Sequence, residues 1–214
     1  MASSPSAMLA IVVRRTLQNQ WDPDARHEDL TFIDDNPLIV QSTGEKKNSK
    51  HSSVKRCRSV RAKLAIPKEK SGIFYYEVEI LEKGSESDGI YIGLATNETP
   101  LGQCVEEKEG TYGYANDGYF WGYEVEGCFH WDRRPYVYEK PEFGLNDIVG
   151  CGVELETGKI IYTLNGDRLE TPNWLVDSAA ILFPFVTLYA PGTKIEANFG
   201  TKEFKFDIAK AFRN

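Results

Sequence analysis

The chain has 214 residues, 41% of them hydrophobic, and a formal charge of −7 at pH 7. That is enough apolar material for one large domain, and the acidic balance argues against general affinity for nucleic acid or anionic lipid. No stretch approaches the roughly 18 consecutive apolar residues of a membrane span, so neither a membrane nor a nucleic-acid partner is expected.

Residues 1–16 read as a flexible or partly ordered segment rich in Ser and Ala. The apolar run "AMLAIVV" (7–13) is short and has no basic stretch before it, so it does not make a signal peptide. A single domain is expected from 17 to 210, with a helical turn near 22–28 after Trp21-Asp22-Pro23 and a short helical tail at 206–212. Residues 211–214 are left as a tail. Residues 45–63, "EKKNSKHSSVKRCRSVRAK", hold eight Lys/Arg against one Glu. They read as a solvated basic loop, and such an uneven charge suits a protein that docks on other proteins.

Beyond residue 28 the apolar residues recur with the period of two that marks half-buried strands. In "GIFYYEVEIL" (72–81), Phe74, Tyr76, Val78 and Ile80 share one face, while Tyr75, Glu77 and Glu79 take the other. Ile90, Ile92 and Leu94 form the next inward row, followed by Val149, Cys151, Val153 and Leu155, then Ile160, Tyr162 and Leu164. Thr157-Gly158 and Asn165-Gly166 are tight-turn signals, the latter because both central residues of a type I′ turn need positive φ. "ILFPFVTLY" (181–189) and "KIEANF" (194–199) flank Ala190-Pro191-Gly192, and Pro184 points to an edge or a bulge. Short strands at regular spacing with Gly/Asn turns predict an all-β fold, a two-sheet antiparallel sandwich with only short helical turns at its ends.

"TYGYANDGYFWGYEVEGCFHWD" (111–132) carries eight aromatic rings. Tyr112 and Tyr114 share one side, as do Tyr119, Trp121 and Tyr123, and Phe129 alternates with Trp131 about His130. At this spacing most of the rings are expected to fill the sandwich core. A nucleotide-stacking platform is excluded, because the stretch contains no Lys or Arg and four acids that repel phosphate.

Catalytic and metal signatures are lacking. His27, His51 and His130 belong to no familiar zinc spacing, and there is no Gly-x-Ser-x-Gly elbow and no phosphate-binding glycine loop. The pairs Glu77/Glu79 and Glu124/Glu126 stand about 7 Å apart on their strands, near the separation of glycosidase carboxylates. Same-strand acids on an outward face are what any solvated strand shows. No enzyme, no cofactor and no metal are expected. Cys57, Cys104, Cys128 and Cys151 form no Cys-x-x-Cys pair, so four free thiols in a reducing cytosol are expected.

In order, "VRAKLAIP", "GIFYYEVEIL", "DGIYIGLAT", "TYGYANDGYFWG", "LNDIVGCGVEL", "KIIYTLNG", "LFPFVTL", "PGTKIEANFG" and "FKFDI" resemble the SPRY (B30.2-like) domain, in the version found in Ran-binding protein M. Within that family, "LQNQWDPDARHEDLTF", "GTYGYANDGYFWGYEVEGC" and "GVELETGKIIYTLNGDRL" resemble the secreted SPRY-domain effectors of plant-parasitic cyst nematodes. The resemblance implies a non-enzymatic, monomeric module that binds partner proteins through loops at one end of a sandwich. It further implies secretion by the parasite behind a leader upstream of Met1, and action in the host cytoplasm and nucleus. The partner would be a host immune receptor or a ubiquitin-pathway protein. A housekeeping adaptor of the Ran-binding protein M type is the alternative, and a carbohydrate-binding or glycoside-active jelly roll is the reading from another class. The peptide specificity of SPRY proteins with a suppressor-of-cytokine-signalling box does not carry over, because the positions near Asp88 and Ala190-Pro191 differ in type.

The turns in "EKGSESDG", "AND-G" and "YAPG" are expected to meet at one end of the sandwich beside Arg61. Arg61 would supply an anchoring cation, Asp88 an acid, Tyr119 and Tyr189 exposed ring edges, and Pro191 a rigid turn. Trp121 would form the floor. One Arg among aromatics around a hollow has the composition of an interface hot spot.

Overall fold

The computed structural model describes residues 19–44, 57–84 and 89–212. The N-terminal segment, most of the basic loop and Asp88 lie outside the described residues. In chain order the first strands are β1 (Trp21–Arg26), β2 (Leu30–Ile33), β3 (Asn36–Ser42), β4 (Arg58–Ala62) and β5 (Ile73–Glu82). β6 (Ile90–Thr96) leads through a single 3-10 turn, Val105–Glu107, to β7 (Thr111–Ala115), β8 (Phe120–Trp121), β9 (Phe129–Trp131) and β10 (Arg134–Val137). Then come β11 (Ile148–Glu154), β12 (Lys159–Leu164), β13 (Asp167–Arg168), β14 (Leu182–Leu188), β15 (Lys194–Asn198) and a helical turn α1 (Ile208–Ala211).

These strands make two antiparallel sheets. One has eight strands in the order β1-β4-β14-β6-β7-β8-β10-β9, and the other seven in the order β13-β12-β11-β5-β15-β3-β2. The inward rows of β5, β6, β11 and β12 meet between them. Ile90, Ile92, Val149, Cys151, Val153, Ile160 and Tyr162 are all buried there, in one cluster with Phe74, Tyr76, Val78 and Ile80. Side chains alternate across a pleated strand, so burial of one face fixes the register of its partner: Cys151 sits opposite Tyr76 on one side and Tyr162 on the other. The Asn165-Gly166 hairpin forms as expected, with φ of 54° and 90°.

Three local readings change. Residues 21–26 form a strand rather than a helical turn, because the segment pairs with β4, Trp21 opposite Ala62 and Arg26 opposite Val60. Pro23 is tolerated there since β1 is a sheet edge, and the ladder to β4 is irregular at that point. β14 is central, yet its Pro184 lies beyond the last β4 pair, where β6 is its one ladder neighbour among the described residues. The third change concerns Glu77. It is only 4% exposed, beneath the C-terminal segment, where Phe206 and Ile208 pack on Tyr75 and Ile161.

Glu77 is therefore a structural carboxylate. It accepts hydrogen bonds from the Lys205 N–H at 3.0 Å, the Phe206 N–H at 3.0 Å and the Tyr75 hydroxyl at 3.0 Å. Bonds to an ionised acceptor are each worth about 1.5–3 kcal/mol, and an orphaned buried donor costs about as much. Glu77→Ala is expected to cost at least about 4 kcal/mol and to release residues 203–212 first. Hydrogen exchange at the Lys205 and Phe206 amides checks this, and unchanged protection there would refute it.

Candidate protein-docking surface

The ladders line up one row of residues across the outer face of the eight-stranded sheet. Arg61 pairs with Phe185, Phe185 with Gly93, Gly93 with Gly113, Gly113 with Trp121, Trp121 with Tyr136, and Tyr136 with Phe129. Directly opposed residues point to one side of a sheet, and the alternate row, with Val186, Ile92, Tyr114 and Phe120, fills the main core. The Arg61 to Phe129 row therefore faces away from the sandwich interior.

Half of that row is covered. Val105 and Leu101, from the connection between β6 and β7, close over Tyr91, Ala95, Ala115 and Phe185 to make a second, smaller core. The main-chain bond from Ser59 N–H to the Leu101 carbonyl, 2.9 Å, holds this cover down. Past Trp121 the cover ends and the rings emerge. Tyr119 lies 6.4 Å from Trp121, 5.6 Å from Tyr136 and 6.1 Å from Tyr138, centroid to centroid. Phe129 follows at 5.7 Å from Tyr136 and 5.0 Å from Tyr138. Exposure rises steadily outward, from 8% at Trp121 to 48% at Phe129 and 67% at Trp131.

The hairpin that carries these last rings is firmly held. Asp132 and Arg133 both have positive φ, 45° and 67°, which closes the two-residue turn between β9 and β10. Arg134 is buried and donates to the Thr111 carbonyl at 2.9 Å and hydroxyl at 2.8 Å, tying the hairpin to the end of β7. Beyond β9 no strand pairs among the described residues, so its edge faces solvent beside the exposed rings.

The described flanks of the expected end loops come together, with residues 85–88 outside the described residues. Tyr189 N–H donates to the Gly89 carbonyl at 3.0 Å, Ile90 N–H to Asn116 Oδ1 at 2.7 Å, and Gly84 N–H to Thr193 Oγ1 at 3.2 Å. Pro191 sits in that cluster, partly exposed, in the turn closed by Thr193 N–H on the Ala190 carbonyl. Tyr189 joins it by its ring, 5.4 Å from Tyr91, but its hydroxyl is committed to the Glu106 carboxylate at 2.8 and 2.9 Å. Tyr119 and Trp121 lie next to it through the smaller core, and the buried Trp121 Nε1 has no hydrogen-bond partner among the described residues. Arg61 does not join them. It is four strands from Trp121, about 19 Å at the usual strand spacing, with its guanidinium 5.1 Å above Phe183 and Nη1 on the Asn97 carbonyl. The cation beside Tyr189 is instead Arg58, which is buried, donates to the Tyr189 carbonyl at 2.6 Å and pairs with Asp29 at 3.0 Å. The basic segment is thus not wholly solvated.

Two aromatic assignments also change. Tyr123 does not share a side with Trp121: the positive φ of Gly122, 99°, breaks the alternation, so Trp121 faces out while Tyr123 enters the main core. Phe129 and Trp131, among rings most of which were expected in the core, are exposed because they lie on the outward side of β9, a three-residue edge strand. The structure also brings Tyr136 and Tyr138 into the patch, which the sequence pattern did not single out.

Comparison with known proteins supplies the family. The SPRY domain model matches residues 73–202, which span β5 to the end of the two-sheet scaffold. This chain belongs to the SPRY domain family. The SPRY domain of human HERC1 has the same fold, with a TM-score of 0.62 at 16% identity over 83% of this chain and 96% of that one. In sequence the protein is similar to Ran-binding protein 10 of Danio rerio, 33% identical over 90% of this chain. It is also 34% identical to Ran-binding protein 9 of Xenopus tropicalis over 90% of this chain. It spans only 29% and 32% of those two relatives' lengths.

Proposed function

We propose that this SPRY domain is a non-enzymatic, monomeric protein-interaction module that grips partner proteins on the aromatic face running from the Pro191 turn through Tyr119 to Phe129 and Trp131. The observation that carries this reading is the outward gradient of exposure along one pre-formed, ring-lined row. Clustered exposed aromatics mark interfaces on soluble proteins, and rigid rings lose little entropy on binding. The acids weighed for glycoside cleavage have other engagements: Glu77 holds main-chain donors, and Glu124 meets His130.

We propose further that the module serves as a secreted effector acting in the cytoplasm and nucleus of a host plant cell, on an immune receptor or a ubiquitin-pathway protein. The motif-level resemblance to nematode effectors supports this, and a Cys57–Cys104 disulfide suits passage through an oxidising secretory route. The similarity to Ran-binding proteins 9 and 10 favours a second reading, a housekeeping adaptor of the Ran-binding protein M type. The open reading frame upstream of Met1 separates the two: a hydrophobic leader supports the effector, a continuous helical domain the adaptor.

The docking face is tested with a partner found by proximity labelling and then purified. Phe129→Ala with Trp131→Ala is expected to weaken binding by about 30-fold or more, the scale of a hot spot, with an unchanged melting temperature. Pro191→Ser probes the adjoining loop end, and Asp88→Lys tests the acid expected from the sequence. Full binding by the aromatic double variant, together with loss in Pro191→Ser, would move the contact to the loops.

A further inference from the structure

Glu124, Cys128 and His130 lie together on the face of the β9 hairpin opposite Phe129 and Trp131, and neither the fold nor the docking reading uses them. Glu124 Oε2 is 2.9 Å and Oε1 3.2 Å from His130 Nε2, Cys128 Sγ is 3.5 Å from Glu124 Oε1, and the donor atoms all lie within 4.8 Å of one another. The local sequence explains the arrangement. The Cys128 N–H bonds to the Val125 carbonyl at 3.1 Å, closing a turn in which Gly127 takes φ of 80° and returns Cys128 towards Glu124. His130 then follows two residues later on a strand, on the same side as Cys128.

We propose that Glu124, Cys128 and His130 form a site for a zinc-class divalent ion, with water in the fourth position. A tetrahedral zinc ion with Zn–O and Zn–N of about 2.0–2.1 Å and Zn–S of about 2.3 Å requires donor separations of about 3.3–3.6 Å. The O···N and O···S separations are already close to those tetrahedral edges. One thiolate, one imidazole and one carboxylate suit zinc or cobalt, whereas calcium and magnesium need more oxygens than the cluster offers. On binding, the Cys128 thiol loses its proton to solvent, and His130 coordinates through the Nε2 lone pair with its proton on Nδ1. The side chains of Glu124 and His130 are 72% and 47% exposed, so the ion has open access and the fourth ligand can be exchanged.

The inference does not rest on the docking reading, and its test is direct metal binding by the purified full chain. Cobalt chloride is titrated into metal-free protein and followed by the thiolate-to-cobalt charge-transfer band, then back-titrated with zinc. That band reports Cys128, because Cys57 and Cys104 are bonded to each other and Cys151 is buried. The expected result is one cobalt per chain displaced by zinc, with affinity reduced about tenfold or more in His130→Ala and Glu124→Gln and the band abolished in Cys128→Ser. Circular dichroism confirms folding of each variant. A missing thiolate band, or unchanged affinity in both His130→Ala and Glu124→Gln, would overturn the site.

Discussion

Raising the pH past about 10 is expected to unfold this SPRY domain in one steep step, because its core is built on tyrosines that cannot ionise in place. Tyr75, Tyr76, Tyr114, Tyr123 and Tyr162 are all buried. Burial is the main cause that pushes each phenol up, and the Glu77 carboxylate adds to it at Tyr75. Their hydroxyls are engaged where they lie: Tyr76 donates to the Gly93 carbonyl at 2.6 Å, Tyr123 and Tyr162 bond each other at 3.0 Å, and Tyr114 reaches the Pro141 carbonyl. A phenol in the unfolded chain releases its proton near pH 10, whereas the folded one holds it well above that. The stability from the protonated core is therefore complete below pH 10 and falls as pH rises. Each such group removes about 1.4 kcal/mol per pH unit above its unfolded value. Five together remove about 7 kcal/mol per unit, which matches the whole stability of a typical domain within a single pH unit. Tyrosinate absorbance and loss of the β-sheet dichroism signal are expected to rise together between about pH 10.5 and 11.5. Gradual ionisation of all the tyrosines with the sheet signal intact would show that the core admits water, contrary to the packing described.

The same tyrosines show where the fold was legible in the sequence and where it was not. Tyr76 and Tyr162 belong to strands whose neighbours alternate without interruption, so their inward facing follows from pleat geometry alone. Trp121 and Tyr123 defeat that reasoning, because the positive φ of Gly122 between them breaks the local alternation. Glu77 was misplaced for a different reason. Its strand has a solvent-type face by composition, but a segment about 130 residues later folds back over it, and strand periodicity carries no information on such a cover. For Phe129 and Trp131 the alternation carried no sign of their exposure, and only the sheet order shows β9 to be an edge. The candidate site was legible in part: the Gly89, Asn116 and Pro191 connections, signalled by their Gly, Asn and Pro residues, meet at one end of the sandwich. Which cation stands there was not, since Arg58 and Arg61 differ by three positions and thus face opposite sides of β4. The Glu124, Cys128 and His130 cluster escaped notice because its donors come together through a glycine turn rather than through a familiar spacing.

The Cys57–Cys104 bridge is the largest departure from the sequence reading, which expected four free thiols. Two cysteines 47 residues apart give no local signal; they meet because β4 and the connection after β6 are brought side by side, with Cα atoms 5.2 Å apart. Closing a loop of that length restricts the unfolded chain, and the chain-entropy model values the restriction at about 4 kcal/mol. Cys57→Ser with Cys104→Ser, or reduction of the native protein, is therefore expected to lower stability by about 2–4 kcal/mol and the melting midpoint by on the order of 10 °C. The loss should not be uniform. Cys104 immediately precedes the Val105–Glu107 turn, whose Val105 covers the smaller core next to Trp121, so that cover is expected to loosen first. Tryptophan fluorescence and amide exchange across residues 101–108 would therefore change under reductant before the main core does. Thiol titration supplies the independent check. The unreduced chain should show two reactive thiols in denaturant, Cys128 and Cys151, and only Cys128 when folded, because burial pushes the Cys151 thiol up and shields it. Four reactive thiols in the unreduced, denatured chain would remove the bridge, along with its support for an oxidising secretory route. A bridged chain that loses stability in a reducing buffer would show how far the sandwich core holds the fold alone.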